Sequence, residues 1–107
     1  MKEIDSPESL AKRLTELFPA FSSEIEGDTS DTYHGVLLLL TPVITGYLEN
    51  SSERTIRKFC ELVNYMAEAG GEKGNAIATC LLEHASQVKL RSIIRPHLGA
   101  VARRELR

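Results

Sequence analysis

"TYHGVLLLLTPVITGYL", residues 32–48, is the stretch on which the fold turns: it carries no charge and holds the most apolar run of the chain. A membrane-spanning helix needs about 20 mostly apolar residues. This window is shorter and interrupts itself with Tyr33, His34, Gly35, Thr41, Pro42, Thr45 and Gly46. Its flanks bring Asp28, Asp31, Glu49 and Glu53 with no base before Arg54, so the basic anchor of a membrane segment is missing as well. The period points elsewhere. Tyr33, Val36, Leu37, Leu40, Val43, Ile44, Tyr47 and Leu48 follow at steps of three or four, which gathers them on one face of an α-helix. The stripe keeps its phase across Pro42, which predicts one helix kinked near Thr41 or two short helices nearly in line. Leu38 and Leu39 broaden the apolar face, so this is expected to be the most buried helix.

Upstream, "DSPESLAKRLTELFP" reads as a first helix with Ser6 as N-cap, Pro7 at the first helical position and Leu10, Leu14 and Leu17 as its stripe, ended by Pro19. The segment "AFSSEIEGDTSD" combines turn formers with four acids. It is expected to be a loop or short helical turn packed by Phe21 and Ile25. Downstream, Asn50 and Glu53 have capping-box spacing, and Ile56, Phe59, Cys60, Val63, Met66 and Ala67 form a stripe that stops at Gly70 and Gly71. After a "GGEKG" loop, Ile77, Cys80, Leu81, Leu82, Ala85 and Val88 repeat the pattern. Leu90, Ile93 and Ile94 lead to Pro96, and Leu98, Val101, Ala102 and Leu106 mark a last helix from near His97.

No strand alternation and no Asn-Gly or Asp-Gly hairpin occurs, and no 30–45-residue repeat is visible. The expected fold is all-α: a single domain over residues 1–107, a compact bundle or hairpin stack of about five to six helices, solenoid-like packing being the second form. Length and ordinary composition, with 42% hydrophobic residues, allow one core without metals or disulfides. "MKEIDSPESL" does not read as a secretory signal, so the default location is the cytoplasm.

Chemistry is sparse. Cys60 and Cys80 form no CxxC pair and read as buried, reduced thiols. Cys80, Glu83 and His84 make half a zinc site without the remaining ligands, and His34 and His97 are isolated. No GxSxG or papain-like cysteine context is present, and "GGEKGN" lacks Walker spacing and a preceding strand. The expectation is no enzyme, no metal and no cofactor.

Charge is more informative. Residues 1–50 hold nine acids and three bases, a balance of −6, whereas residues 51–107 hold six acids and ten bases, a balance of +4. Glu24, Glu26, Asp28 and Asp31 crowd one loop, where they either sit solvated beside a helix N-terminus or steer a basic partner. Arg91, Arg95, Arg103, Arg104 and Arg107 crowd the other end. That segment has no aromatic residue to stack on bases, and the chain is acidic overall, so direct nucleic-acid binding is not expected.

The run from "YHGVLLLLTPVITGYLENSSERTIRKFCELVNYMAEAGGEKGNAIATCLLEHA" to "IIRPHLGAVARREL", spanning roughly residues 33–106, carries Asn75, Ala76, Leu82, Glu83, Leu98 and Gly99 in a recurring pattern. In these features it resembles small all-helical bacterial immunity proteins of polymorphic-toxin systems, including contact-dependent growth inhibition. The resemblance implies a cytoplasmic protein that binds a cognate toxin domain, a nuclease with a basic cleft, and covers its active site without catalysis. The candidate partner-binding set is Glu24, Glu26, Asp28 and Asp31, with Tyr33 as an aromatic anchor. The alternative is a helical adaptor or regulator that binds a host protein through an apolar groove.

Overall fold

Ser6 and Pro7 start the first helix as their chemistry dictates. In the computed structural model, which describes residues 4–25, 32–82 and 88–106 (the backbone alone at residue 88), α1 runs Pro7–Leu17. Ser6 Oγ accepts from the Ser9 N–H at 3.0 Å and Ser9 Oγ accepts from the Ser6 N–H at 3.1 Å, a capping box closed by serine on both sides. Pro19 ends the helix and opens a 3₁₀ turn, Pro19–Phe21, followed by the single-turn α2, Ser22–Ile25. Phe21 is fully buried and Ile25 packs against the core, the arrangement expected for a short helical turn.

The uncharged stretch forms one helix, α3, Tyr33–Glu49, with Pro42 inside it and the Thr32 side chain capping the Gly35 N–H at 2.9 Å. Tyr33, Val36, Leu37, Leu40, Ile44 and Leu48 are buried, and Val43 and Tyr47 pack against the cluster from its edge. Leu38 departs from the expectation that it would widen the buried face: it is 58% exposed. At 100° per residue the core-facing stripe leaves Leu38, Pro42 and Gly46 on the opposite side, and all three are exposed. As a result α3 buries no more positions than α4, correcting the ranking of α3 as the most buried helix.

The next helix, α4, runs Glu53–Ala69 and is capped by Ser52, whose Oγ accepts from the Thr55 N–H at 3.3 Å. The expected Asn50–Glu53 box is not formed. Asn50 instead closes α3, its Nδ2 donating to Gly46 O at 2.8 Å, and the Glu53 carboxylate pairs with Arg57 at 3.1 Å. At the other end Gly70 (φ +66°) and Gly71 (φ +57°) make the turn together, and α5, Gly71–Ile77, begins within it. "GGEKG" is therefore mostly helix rather than loop. A Cβ at Gly74 would lie 3.4 Å from the carbonyls of both Ala67 and Met66, so α5 folds back tightly over the end of α4.

The α5 helix widens into a π segment over Ala78–Leu82, in which Cys80, Leu81 and Leu82 are buried consecutively. The looser i→i+5 turn narrows the angle between neighbours and lets three successive side chains face one core. Thr41 supports this segment from α3: its hydroxyl lies 2.7 Å from Leu37 O and 2.8 Å from Cys80 O, one proton serving two acceptors. The chain ends with α6 (Val88–Ile94), a 3₁₀ turn (Arg95–His97) and α7 (Ala100–Glu105). The last helix starts later than expected because Asn64 holds the approach open, donating to His97 O at 3.2 Å and accepting from the Gly99 N–H at 2.8 Å.

Among the described residues there are seven α-helical segments and no strand, so the chain is an all-α bundle. The buried side chains form one cluster drawn from Ile4 through Ala102. The radius of gyration is 12.4 Å, close to the roughly 13 Å of a compact 100-residue domain. No buried polar or charged side chain occurs among the described residues.

Candidate functional site

The acidic candidates divide. Glu24 stands exposed on α2, whereas Glu26, Asp28 and Asp31 lie outside the described residues. Tyr33 is 7% exposed and belongs to the core cluster, so the free protein does not present its ring as an anchor. The aromatic residue nearer the surface by Glu24 is Tyr47. Burial, and secondarily the charge of Glu24, hold the Tyr47 pKa above its ordinary value of 10.0.

Tyr47 stacks on Phe18 with ring centroids 5.5 Å apart, and Phe18 meets Phe59 edge-on at 5.6 Å. Beside this stack, the Pro19–Phe21 turn and the C-terminal end of α3 border an open cleft of about 190 Å³, lined by Phe18, Pro19, Ala20, Gly46, Tyr47 and Asn50 among others. A larger open groove of about 510 Å³ has Leu48, Ile56 and Ile93 as its apolar lining, and Glu49 and Lys89, 3.6 Å apart, on its wall. A third, between α1 and α4, is lined by Arg13, Glu16, Lys58 and Glu61.

Both thiols are buried and free. Burial pushes the Cys60 pKa up to about 12 and raises that of Cys80, which removes the thiolate a nucleophile requires. Their Sγ atoms point weakly at backbone carbonyls, Cys60 at Ile94 O and Cys80 at His34 O, each at 3.8 Å. Among the described residues no group of three His, Cys, Asp or Glu could hold a metal; Glu83 and His84 lie outside them. Lys73 of "GGEKGN" sits 5.5 Å over the Tyr65 ring, a cation–π contact that directs its charge to the protein's own surface. At the C-terminal end, Arg91, Arg95, Arg103 and Arg104 are exposed, the last two in the final turn of α7 where cations suit the helix dipole.

The recurring residues behave as scaffold. Ala76, Leu82 and Leu98 are buried, Gly99 is held by Asn64, and Asn75 accepts from Thr79 Oγ1 at 3.4 Å; Glu83 lies outside the described residues. Nothing in the sequence marks Asn64, the tie from Thr41 to Cys80 or the Phe18–Tyr47–Gly46 cleft.

Fold and site together define a small all-α domain whose described charges all lie outside the core. No described helix is long and apolar enough to cross a membrane. The chain belongs to the family described as a domain of unknown function, DUF7674, whose model matches residues 11–107. No curated protein and no solved structure matches it.

Proposed function

We propose that this protein is a cytoplasmic immunity protein that binds a cognate toxin domain, a nuclease with a basic cleft, and covers its active site, with no catalysis or cofactor of its own. The observation that carries the reading is the segregation of charge. The first fifty residues have a balance of −6, and every described acid among them, Asp5, Glu8, Glu16, Glu24 and Glu49, is exposed. Such a surface accelerates encounter with a basic partner and discriminates against acidic ones. In the sequence, Glu24, Glu26, Asp28 and Asp31 are the densest run of those acids. The family resemblance supplies the toxin; the charge supplies the direction of binding.

A second reading, a helical adaptor, is favoured by the open groove of about 510 Å³ at Leu48, Ile56 and Ile93, an apolar lining of the kind that receives the anchors of a partner helix. The two separate in cells. Expression of the toxin domain encoded beside this gene should arrest growth, and co-production of this protein should restore it. Unrelieved arrest, or a neighbouring gene of purely metabolic kind, would favour the adaptor.

A further inference from the structure

We propose that the cleft between the Pro19–Phe21 turn and the end of α3 receives an arginine side chain of the partner protein, its stem against Pro19, Ala20 and Tyr47 and its guanidinium toward Glu24. This deepens the preceding section and rests on its reading of a basic partner. Three features select the occupant.

The first is shape. The cleft, about 190 Å³, is of the scale of one long side chain, and its walls are mainly apolar, with Asn50 and Ser51 at one end. At Gly46 the helix backbone is bare: a Cβ built there meets nothing within 4 Å. A long stem can therefore lie directly on α3, as arginine and lysine stems do on apolar surface.

The second is charge. The cleft adjoins the C-terminal end of a 17-residue helix, which carries roughly half a negative charge. No base of its own occupies that last turn. Neutral donors cap the carbonyls there: Asn50 Nδ2 serves Gly46 O at 2.8 Å and Ser51 Oγ serves Tyr47 O at 2.7 Å. Glu49 is paired with Lys89, but Glu24 makes no ion pair among the described residues. An anion would be repelled here, and a neutral apolar residue would gain nothing from Glu24.

The third is the ring. Among the described residues the Tyr47 ring has one aromatic partner, Phe18, stacked on it, and it remains half-buried, so part of it borders the cleft. A planar, weakly hydrated guanidinium suits an aromatic wall better than an ammonium does.

The test uses the intact ¹⁵N-labelled protein and two peptides, acetyl-Gly-Arg-Gly-amide and the same peptide with neutral citrulline in place of arginine. The arginine peptide should shift the backbone signals of Ala20, Gly46 and Tyr47 saturably, and the citrulline peptide should not. Glu24→Gln should weaken binding about threefold, the scale of one exposed ion pair. Gly46→Met, which fills the cleft from a position with free space, should abolish the shifts while preserving the helical spectrum. Ala20→Gln, filling from the opposite wall, should do the same. Equal shifts from both peptides, no shifts, or shifts that survive both filled variants would overturn the cleft assignment. Failure of the toxin-binding reading is seen separately, as unrelieved growth arrest in cells, which involves neither peptide.

Discussion

Thr41 offers a controlled measurement of how α3 is tied to the π segment. Its hydroxyl reaches both Leu37 O and Cys80 O. Thr15, also half-buried in a helix, makes only the local bond, to Ala11 O at 2.9 Å. Replacing each by valine keeps shape and β-branching and removes one hydroxyl. At Thr15 the lost bond is a second one to a helical carbonyl, so the change should be close to neutral. At Thr41 the loss is a tertiary bond, worth about 1 kcal/mol net, with up to about 2 kcal/mol if the Cys80 carbonyl finds no other donor. For a chain of this length about 1 kcal/mol moves the melting temperature by roughly 5 °C. Thermal unfolding followed by circular dichroism should therefore show Thr41→Val lower by about 5–10 °C and Thr15→Val by less than about 2 °C. Equal shifts for the two variants would refute the idea that the contact with Cys80 carries stability.

Leu40 is fully buried in α3, so Leu40→Asp should cost several kcal/mol as an unpaired buried charge; an unchanged denaturation midpoint would contradict the packing. Gly70 turns between α4 and α5 at φ +66°, ψ −160°, with free space where a Cβ would go. Gly70→Ala should thus lose about 1–3 kcal/mol through backbone strain alone, read as a lower urea midpoint at unchanged slope. Cys60 has its pKa raised from 9.0 to about 12. Its contribution to stability is therefore complete below pH 9 and is lost as pH rises through 12, at up to about 1.4 kcal/mol per pH unit. Cys60→Ala should flatten the alkaline limb of stability against pH relative to the parent, and in the native parent neither thiol should react with a thiol reagent until the protein unfolds.

Where side-chain periodicity was sharp, the fold was legible. Ser6, Pro7 and the Leu10–Leu14 spacing define α1, and the stripe from Tyr33 to Leu48 carries α3 through Pro42 as one helix. In a stretch as uniformly apolar as residues 36–40, composition alone does not show which side faces water, and Leu38 is the cost of that ambiguity. "NSSE" contains three good caps; Asn50 is taken up in closing α3 on Gly46 O, and Ser52 caps α4. Nothing in "ATCLL" announces a π turn, because it is stabilised by burial and by Thr41, thirty-nine positions away from Cys80.

Of the candidate site, the sequence shows the charge alone. Tyr33 was both a stripe position and a proposed anchor, and core packing decided for the stripe. The cleft joins Pro19 and Ala20 to Gly46 and Tyr47, residues that only the tertiary fold brings together.

Toxin binding through the acidic segment is tested by the affinity of the cognate toxin domain for the protein in which Glu24, Glu26, Asp28 and Asp31 are all replaced by lysine, measured against the parent across a range of salt concentrations. The helical spectrum should be unchanged, binding and protection in cells should be lost, and the parent's association rate should fall as salt rises, since exposed complementary charges act mainly on encounter. Binding with unchanged affinity and salt dependence would contradict binding through that segment, and would move the interface to the helical surfaces after Asn50.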